Sequence, residues 1–368
     1  FGYDAAGNRF SSVRSGAPGG IATAMTATHD NMNRIASLGG GGRTLVSGTL
    51  SEPGIASVGL AGQGERPARM RPGNRFEAEI DLPAGPSTLA VEAADESGNR
   101  SSYLYSVSTD PQASRSFTYD DDGNLTSDGI RSFEWDVLSR LKTITWATGK
   151  ATEFTYNAIG QRAKVVETDG SQSTTRYYLY DGADLVERRT GSDPDTATAD
   201  RVYFAQGEQR RTGSAWVAYH YCRDHLGSVR EVLDDDGTLV ARYDYTPYGE
   251  RIARYVDSSY GSCDFGFTGH ITIPSLATGQ GEIVLAFYRA YAPALAVWLS
   301  EDPLGLEGGI NLYAYVLGMP CRFRDLLGLE PAVDVAITNA EVQKLLAKFG
   351  QSRITTVATL GKGATGRK

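Results

Sequence analysis

A short motif built around an acidic or amide residue and a glycine recurs along this chain of 368 residues. An aromatic residue is followed by Asp or Asn, two variable residues, Gly, a polar residue, and then Arg or Leu. Asp or Asn can accept a hydrogen bond from the backbone two residues on, and Gly supplies the positive φ of a tight turn, so each copy predicts a β-hairpin. A hairpin unit of about 20 residues cannot bury its own apolar face, so the units must stack. The stretches that fit most of this template are YDAAGNR (3–9), YDDDGNL (119–125), WDVLSRL (135–141), YNAIGQR (156–162) and YDYTPYGER (243–251).

Composition supports a mainly β protein and excludes several functions. The 43 Gly, and the 20 Tyr against 12 Phe, favour turns and aromatic-rich strands. A net charge of −8 argues against a general nucleic-acid binder. The four His residues show no zinc-ligand spacing, and no run approaches 18 apolar residues. We therefore expect no metal, no cofactor, no nucleic-acid partner and no membrane span. The start FGYDAAGNRF has neither Met nor a signal peptide, which we interpret as a start inside a larger protein.

The repeat template resembles the tyrosine–aspartate repeats of Rhs and YD-repeat proteins. Residues 219–250 match a more specific signature of that family, around DHLGSVR and Y-x-P-Y-G, and FGFTGH (265–270) and NLYAYVLGMP (311–320) continue it. The chain thus resembles the C-terminal part of an Rhs polymorphic toxin. The resemblance implies an antiparallel β-sheet that spirals into a hollow shell around the protein's own C-terminal toxin segment. It also implies a secreted or cell-surface location, with secretion machinery or surface carbohydrate as further partners.

Shifts in composition divide the chain into six parts. The segment before residue 43 ends in four glycines, as a linker would. Alternating apolar residues such as Phe76, Ala78 and Ile80 predict a small antiparallel sandwich that resembles Ig-like modules. Near the end, NAEVQKLLAKFG (339–350) has the apolar stripe of a short helix. The predicted parts are a partial repeat (1–12), a Gly-rich linker (13–42), an Ig-like β-sandwich (43–109), the repeat shell (113–288), an Rhs-associated core (289–329) and a helical C-terminal tail that begins the variable region (330–368).

A pentapeptide that occurs nearly twice carries the candidate chemistry. DPLGL (302–306) and DLLGL (325–329) place Asp302 and Asp325 identically. Two carboxylates held close together share a proton, so one can act as a base on water and the other as an acid on a peptide carbonyl. The glycines of the two copies, Gly305 and Gly328, would allow the backbone to approach closely. The alternative interpretation is that both Asp residues only cap turns.

The resemblance adds a cleavage site. In the Rhs family this region is an autoproteolytic core, which implies one self-cut per chain, and no turnover, after the Leu of the second copy. Here that bond joins Leu329 to Glu330. The chain departs from the family pattern at Leu326, where Pro is usual, at Ala292, where an acid is usual, and at Ala296 and Val297, which replace Gly and Arg.

Two nearby arginines, Arg289 and Arg324, are the predicted supporting residues that could compensate for the missing Arg. The alternative function is a non-cleaving cell-surface adhesion protein built from the repeats and the Ig-like module.

Overall fold

The structure is a computed structural model that describes residues 1–14, 22–109, 114–274 and 281–329. These residues form two compact units, one comprising 1–132 with 305–314 and the other 133–304 with 315–329. Nearly all of the regular structure in the described residues is β-strand, and the helical turns there are three-residue 3₁₀ turns. The predicted mainly β fold is therefore confirmed. The predicted tail helix at 339–350 lies outside the described residues.

The first unit contains two sheets and the start of a ladder of repeats. One sheet has the order β5-β9-β8, and the other contains the path β1-β2-β3-β11-β10-β6-β7 with β4 and β12 attached. The strands are β1 (Gly2–Tyr3), β2 (Arg9–Arg14), β3 (Ala22–His29), β4 (Ile35–Gly39), β5 (Gly42–Thr49), β6 (Gly54–Leu60), β7 (Glu65–Pro67), β8 (Arg69–Arg71), β9 (Arg75–Leu82), β10 (Gly85–Asp95), β11 (Arg100–Thr109), β12 (Arg115–Ser116), β13 (Thr118–Tyr119) and β14 (Leu125–Ser127).

The two sheets of the first unit enclose an apolar core. Along β9 the burial alternates, with Phe76, Ala78 and Ile80 on the buried face, as the apolar pattern predicts. Val58 on β6 and Leu89 on β10 pack into the same core from the other sheet. Strand β11 also pairs in parallel with β3, so the strands of 43–109 share a sheet with strands that precede them. The Ig-like character of this region stays a prediction.

The prediction of a linker at 13–42 is wrong for the residues that the structure describes. Strands β3 and β4 lie inside this range and β5 begins there; Ala24 and Leu38 are buried. Small alternating residues build a strand that packs closely against its neighbours, so low bulk did not mean low order. The glycines act similarly, because a Cβ at Gly41 would lie 2.9 Å from the backbone nitrogen of Ala84. Residues 15–21 lie outside the described part.

The second unit is built on an antiparallel meander in which each strand pairs with the next, followed by a smaller sheet of order β27-β28-β29-β30. Strand β15 begins in the first unit and ends in the second. The strands are β15 (Arg131–Trp135), β16 (Leu141–Trp146), β17 (Ala151–Tyr156), β18 (Arg162–Asp169), β19 (Gln172–Asp181), β20 (Asp184–Thr190), β21 (Thr198–Phe204), β22 (Gly207–Thr212), β23 (Ala215–Arg223), β24 (Val229–Asp234), β25 (Leu239–Tyr245), β26 (Arg251–Val256), β27 (Ile271–Ile273), β28 (Ile283–Leu285), β29 (Ala290–Ala292) and β30 (Val297–Trp298).

The turns of the repeats have the geometry that the motif predicts. Asn157 Oδ1 accepts the N–H groups of Ile159 at 3.1 Å and Gln161 at 2.9 Å, and Gly160 has φ 87°. Thr246 replaces the Asp in the last copy and accepts the N–H of Glu250 through its hydroxyl. The pair of bonds that Asn157 makes, to the N–H groups two and four positions on, is also made by Asp4, Asp136, Asp224 and Asp234.

The tyrosines of the motif join one repeat to the preceding one. The Tyr156 hydroxyl donates to the carbonyl of Leu141 at 2.7 Å, and the Tyr245 hydroxyl donates to that of Val229 at 2.8 Å. Arg140, which ends the preceding turn, lies 4.4 Å from the centre of the Tyr156 ring. Phe could supply the ring contact but not the hydrogen bond, which explains the excess of Tyr in the repeats.

A buried ionic cluster fastens the loop around residue 264 to the meander. Asp264 Oδ2 lies 2.7 Å from Arg188 Nη1 and 3.1 Å from Arg201 Nη1, and it accepts the hydroxyl of Tyr203. Burial opposes ionisation of Asp264, but the charges of Arg201 and Arg188 outweigh it and lower its pKa to about 2. Glu208, which is fully buried, pairs with Arg201. Charge compensation by the two arginines keeps the Asp264 carboxylate ionised.

The smaller sheet crosses the predicted boundary between 288 and 289. Strand β28 precedes this boundary and pairs with β29, which follows it. The aromatic rings of Tyr291, Trp298 and Tyr315 pack together beside it, with Tyr291 and Tyr315 stacked at 4.1 Å. Repeats and core therefore share a continuous hydrophobic interior here, and this interior holds the segments that carry the two aspartates.

Candidate functional site: two aspartates on one arginine

The first aspartate follows β30 and opens a tight turn. Asp302 Oδ1 accepts the N–H of Leu304 at 2.8 Å, two residues on, and Gly305 has φ 59°. This is the bond that Asp makes in the repeat turns, so Asp302 does cap a turn. Unlike the partly buried Asp residues of the repeat turns, it is fully buried, with 8% of its surface exposed.

The second aspartate makes a similar turn deeper in the protein. Asp325 Oδ1 accepts the N–H groups of Gly328 at 2.7 Å and Leu329 at 2.9 Å. Gly328 has φ 79°, a conformation that favours glycine. Asp325 is 2% exposed. The turn therefore wraps the end of the DLLGL copy around the carboxylate.

Arg289 connects the two acids. Its Nη2 lies 2.8 Å from Asp302 Oδ2 and 3.4 Å from Asp325 Oδ2, so the two carboxylate oxygens are at most 6.2 Å apart, the sum of these distances. The Nε of the same guanidinium donates to the Gly328 carbonyl at 2.5 Å. The guanidinium is buried and lies 4.4 Å from the centre of the Trp298 ring. Acids that are 23 positions apart in sequence thus share one cation.

The electrostatics of the site favour a shared proton. Burial raises the pKa of Asp325 to about 6; the charge of Arg289 and the two backbone N–H bonds lower it, and the nearby Asp302 raises it further. One guanidinium cannot neutralise two carboxylates that have both lost their hydration. A carboxyl group with this pKa carries its proton in a large fraction of molecules near pH 6.

The residue before the predicted cleavage site, Leu329, is hydrogen-bonded to the Asp325 carboxylate. Leu329 is buried and its N–H binds Asp325 Oδ1, while Glu330 lies outside the described residues. The carbonyl carbon of Leu329 is about 2.5 Å from the nitrogen of the same residue by backbone geometry. It therefore lies within about 5.4 Å of Asp325 Oδ1. The carbonyl carbon of the predicted cleavage site therefore lies near the Asp325 carboxylate.

The other predicted supporting residues are Gly328, Gly305 and Arg324, and of the two glycines only Gly328 lies close against Arg289. Gly328 does allow close approach, because a Cβ there would lie 3.1 Å from both the backbone N and the Cβ of Arg289. The same reason is wrong for Gly305, where a Cβ would meet nothing within 4 Å and only the positive φ requires glycine. Arg324 donates to the Leu226 carbonyl at 3.1 Å, so its described bond ties it to a repeat turn.

The departures from the family pattern leave the local backbone in a turn. The N–H groups of Leu295 and Ala296 donate to the Ala292 carbonyl at 3.0 and 2.8 Å. Ala296 has φ 62°, which a Gly would adopt more easily. Ala292 is buried and provides no carboxylate to cap this turn. The chain thus forms this turn without a capping carboxylate at 292 and without a glycine at 296.

Sequence reasoning missed one polar residue that contacts this site. His270 is buried, and its Nε2 lies 3.1 Å from the carbonyl oxygen of Leu326, next to Asp325. The signal in the sequence is weak: a Thr-Gly-His triplet (268–270) just before a strand. Only the tertiary structure brings this segment beside the DLLGL turn, 56 positions later.

Comparisons with known proteins find relatives of this chain at low sequence identity. No family model matches the chain. The chain is 26% identical over 269 residues to double-stranded DNA deaminase toxin A of Burkholderia cenocepacia, covering 64% of this chain and 18% of the relative. It is 23% identical over 234 residues to the probable deoxyribonuclease RhsA of Dickeya dadantii, covering 62% and 16%. Among solved structures, a Photorhabdus luminescens Tc holotoxin pore matches with a TM-score of 0.48 and 17% identity, over 92% of this chain and 17% of that one.

The molecule is therefore a mainly β repeat protein with a buried pair of aspartates on a single arginine. The predicted resemblance is confirmed: the curated proteins to which the chain is similar include Rhs polymorphic toxins. The chain spans less than a fifth of the length of either curated relative named above. In the part of the chain that the structure describes, no helix is long and apolar enough to cross a membrane.

Proposed function

We propose that this chain is the C-terminal portion of an Rhs toxin shell that encloses its own C-terminal effector and separates from it by aspartyl autoproteolysis after Leu329. The observation that carries the proposal is that Asp302 and Asp325 share Arg289 at a turn that ends at Leu329. An isolated turn cap needs neither burial nor a second acid. The predicted domain organisation, with a repeat shell followed by a core and a variable region, is part of this proposal.

The proposed reaction is hydrolysis of the bond between Leu329 and Glu330. Asp302, in its ionised form, takes a proton from a water molecule as the water oxygen attacks the Leu329 carbonyl carbon. Asp325, in its protonated form, donates its proton to the carbonyl oxygen. As the tetrahedral intermediate collapses and the C–N bond breaks, Asp302 gives the proton it took from water to the departing nitrogen of Glu330. Asp325 takes a proton back from a hydroxyl of the collapsing intermediate, so both acids return to their starting forms. The products are a carboxyl group on Leu329 and an amine on Glu330, and no cofactor takes part.

Two features of the site support this assignment of roles. The pKa of Asp325 is raised to about 6 by burial, so this carboxyl can hold the proton that is to be donated. The Arg289 guanidinium lies closer to Asp302 than to Asp325, which favours the ionised form of Asp302. Secretion or display at the cell surface, and contact with secretion machinery or surface carbohydrate, are part of the same proposal.

The second candidate is a cell-surface adhesion protein that does not cut itself. It is favoured by the fact that both aspartates already make ordinary turn-capping bonds to their own backbone. Ala292 and Val297, which depart from the family pattern, also fit a shell that has lost cleavage.

The two candidates are separated by producing the 368-residue chain in a cell-free translation system and following it on a denaturing gel. Self-cleavage releases a fragment of 39 residues that begins at Glu330, identified by mass spectrometry. Asp302→Asn should stop its appearance. Arg289→Met should slow it strongly, while the matched control Arg324→Met, which removes an arginine bonded elsewhere, should leave the rate within about twofold. An intact wild-type chain would favour the adhesion protein.

A further inference from the structure

Three consecutive carbonyl groups just before the proposed cleavage site are each held by a hydrogen bond. The carbonyl of Leu326 accepts from His270 Nε2 at 3.1 Å, that of Leu327 from the Tyr288 N–H at 2.9 Å, and that of Gly328 from Arg289 Nε at 2.5 Å. The Tyr288 and Arg289 bonds come from adjacent residues. His270 approaches from a different segment, so it is an independent support for the turn.

The surroundings of His270 determine which nitrogen carries the proton. Burial lowers the pKa of His270. The hydrogen bonds to the Leu326 and Phe267 backbone raise it and the cations Arg162 and Arg324 lower it, and the net effect is a lowered pKa, so the ring is neutral near pH 7. The Thr268 hydroxyl lies 2.7 Å from Nδ1 and 2.8 Å from the Phe267 carbonyl oxygen, and its single hydrogen can be donated to either. We assign the hydrogen to Nε2, which faces the Leu326 carbonyl, an acceptor only.

Thr268 is itself fixed by a repeat turn. Its N–H donates to the hydroxyl of Ser228 at 2.9 Å, and Ser228 is fully buried in the DHLGSVR stretch. A continuous chain of hydrogen bonds therefore runs from this repeat through Thr268 and His270 to Leu326, the neighbour of Asp325. This chain of hydrogen bonds ties the backbone at Leu326 to the repeat.

We propose that His270 is a positioning residue for the self-cleavage, acting through the Leu326 carbonyl to hold Asp325 and the Leu329 amide in register. This inference rests on the proposed function. The hydrogen-bond partners of His270 are Thr268, Leu326 and the Phe267 backbone, and none of them is a reacting atom. Catalysis by two acids depends on their placement, and a displacement of about 1 Å can cost about 100-fold in rate. Loss of the His270 bond frees the residue next to Asp325.

The test compares three variants in the cell-free system, with the cut fraction followed over time after a short radiolabel pulse. His270→Leu fills the space without a donor and should slow cleavage by roughly 100-fold. His270→Gln retains an N–H donor and should recover most of the rate. His225→Leu is the matched control, because His225 Nε2 also lies near a carbonyl oxygen, that of Cys321 at 3.0 Å, outside the 325–329 turn. It should leave the rate unchanged.

Each outcome decides the inference. Cleavage of His270→Leu at the wild-type rate overturns it. Equal slowing of the Leu and Gln variants, with equally lowered melting temperatures, also overturns it, because that result assigns His270 a packing role. If the wild type is never cut, the proposed function fails but the positioning role is still measurable: hydrogen exchange at the Gly328 and Leu329 amides should be at least tenfold faster in His270→Leu than in the wild type. Unchanged exchange in that case overturns the positioning role as well.

Discussion

Two acids of the second unit, Asp264 and Asp325, differ in the ratio of carboxylates to arginines around them. Asp264 contacts two guanidinium groups, those of Arg188 and Arg201, and its pKa is lowered to about 2. Asp325 shares the single guanidinium of Arg289 with Asp302, and its pKa is raised to about 6. Burial raises the pKa in both places. The number of compensating charges therefore decides whether a buried carboxylate serves as a fixed anion or holds a proton.

The largest expected effect is on the free energy of unfolding. The same change, Asp to Asn, should lower it at position 264 and raise it at position 325. Asp264→Asn leaves Arg188 and Arg201 with one acid fewer and should lower the free energy of unfolding by about 3 kcal/mol. This value is at the low end for a broken buried ion pair because Asp200 and Glu208 still pair with the two arginines. Asp325→Asn resembles the protonated acid and should raise the free energy of unfolding at pH 7 by up to about 3 kcal/mol. This figure follows because the pKa of Asp325 is raised by about two units, and each unit corresponds to about 1.36 kcal/mol. Urea unfolding of both variants measures this; losses of similar size at both sites would remove the distinction.

The second prediction separates the same sites by pH. The folded-state pKa of Asp325 lies above the unfolded value of 3.8, so its contribution is fully present below about pH 4 and is lost as the pH rises through about 6. The advantage of Asp325→Asn should therefore disappear on acidification from pH 7 to pH 4. Asp264 should behave in the opposite way: its contribution to stability is present above pH 3.8 and is lost as the pH falls toward about 2. Unfolding midpoints of wild type and both Asn variants, measured from pH 3 to 8, check this; a constant difference between wild type and Asp325→Asn would contradict it.

The smallest expected effect distinguishes the two copies of the pentapeptide. Gly305→Ala and Gly328→Ala each place a Cβ at positive φ and should each cost about 1–2 kcal/mol of stability. Only at Gly328 does the new Cβ meet Arg289, so only Gly328→Ala should also slow the proposed cleavage, by about tenfold or more. Thermal melts and the gel assay together measure both effects. Equal slowing by the two variants would mean that the contact with Arg289 is irrelevant.

Much of the fold could be predicted because the hairpin turns are local. Asn157, Gln161 and Gly160 act within five residues, and so the motif itself predicts their hydrogen bonds. The linker prediction at 13–42 was wrong for the opposite reason. Nothing local distinguishes small residues that pack closely in β3 from small residues in a flexible segment; only the neighbouring strands β2 and β11 do.

The sequence by itself determined that this chain builds stacked hairpins and carries two equivalent aspartates, since both depend on residue types at short spacing. Only the tertiary structure decided what surrounds those aspartates. It brought Arg289 between them, directed Arg324 to a repeat turn and placed His270 beside Leu326, across separations of 13 to 98 positions. The physical reason is that a pKa depends on the charges and water within a few ångströms, and sequence spacing does not define that neighbourhood for a buried group.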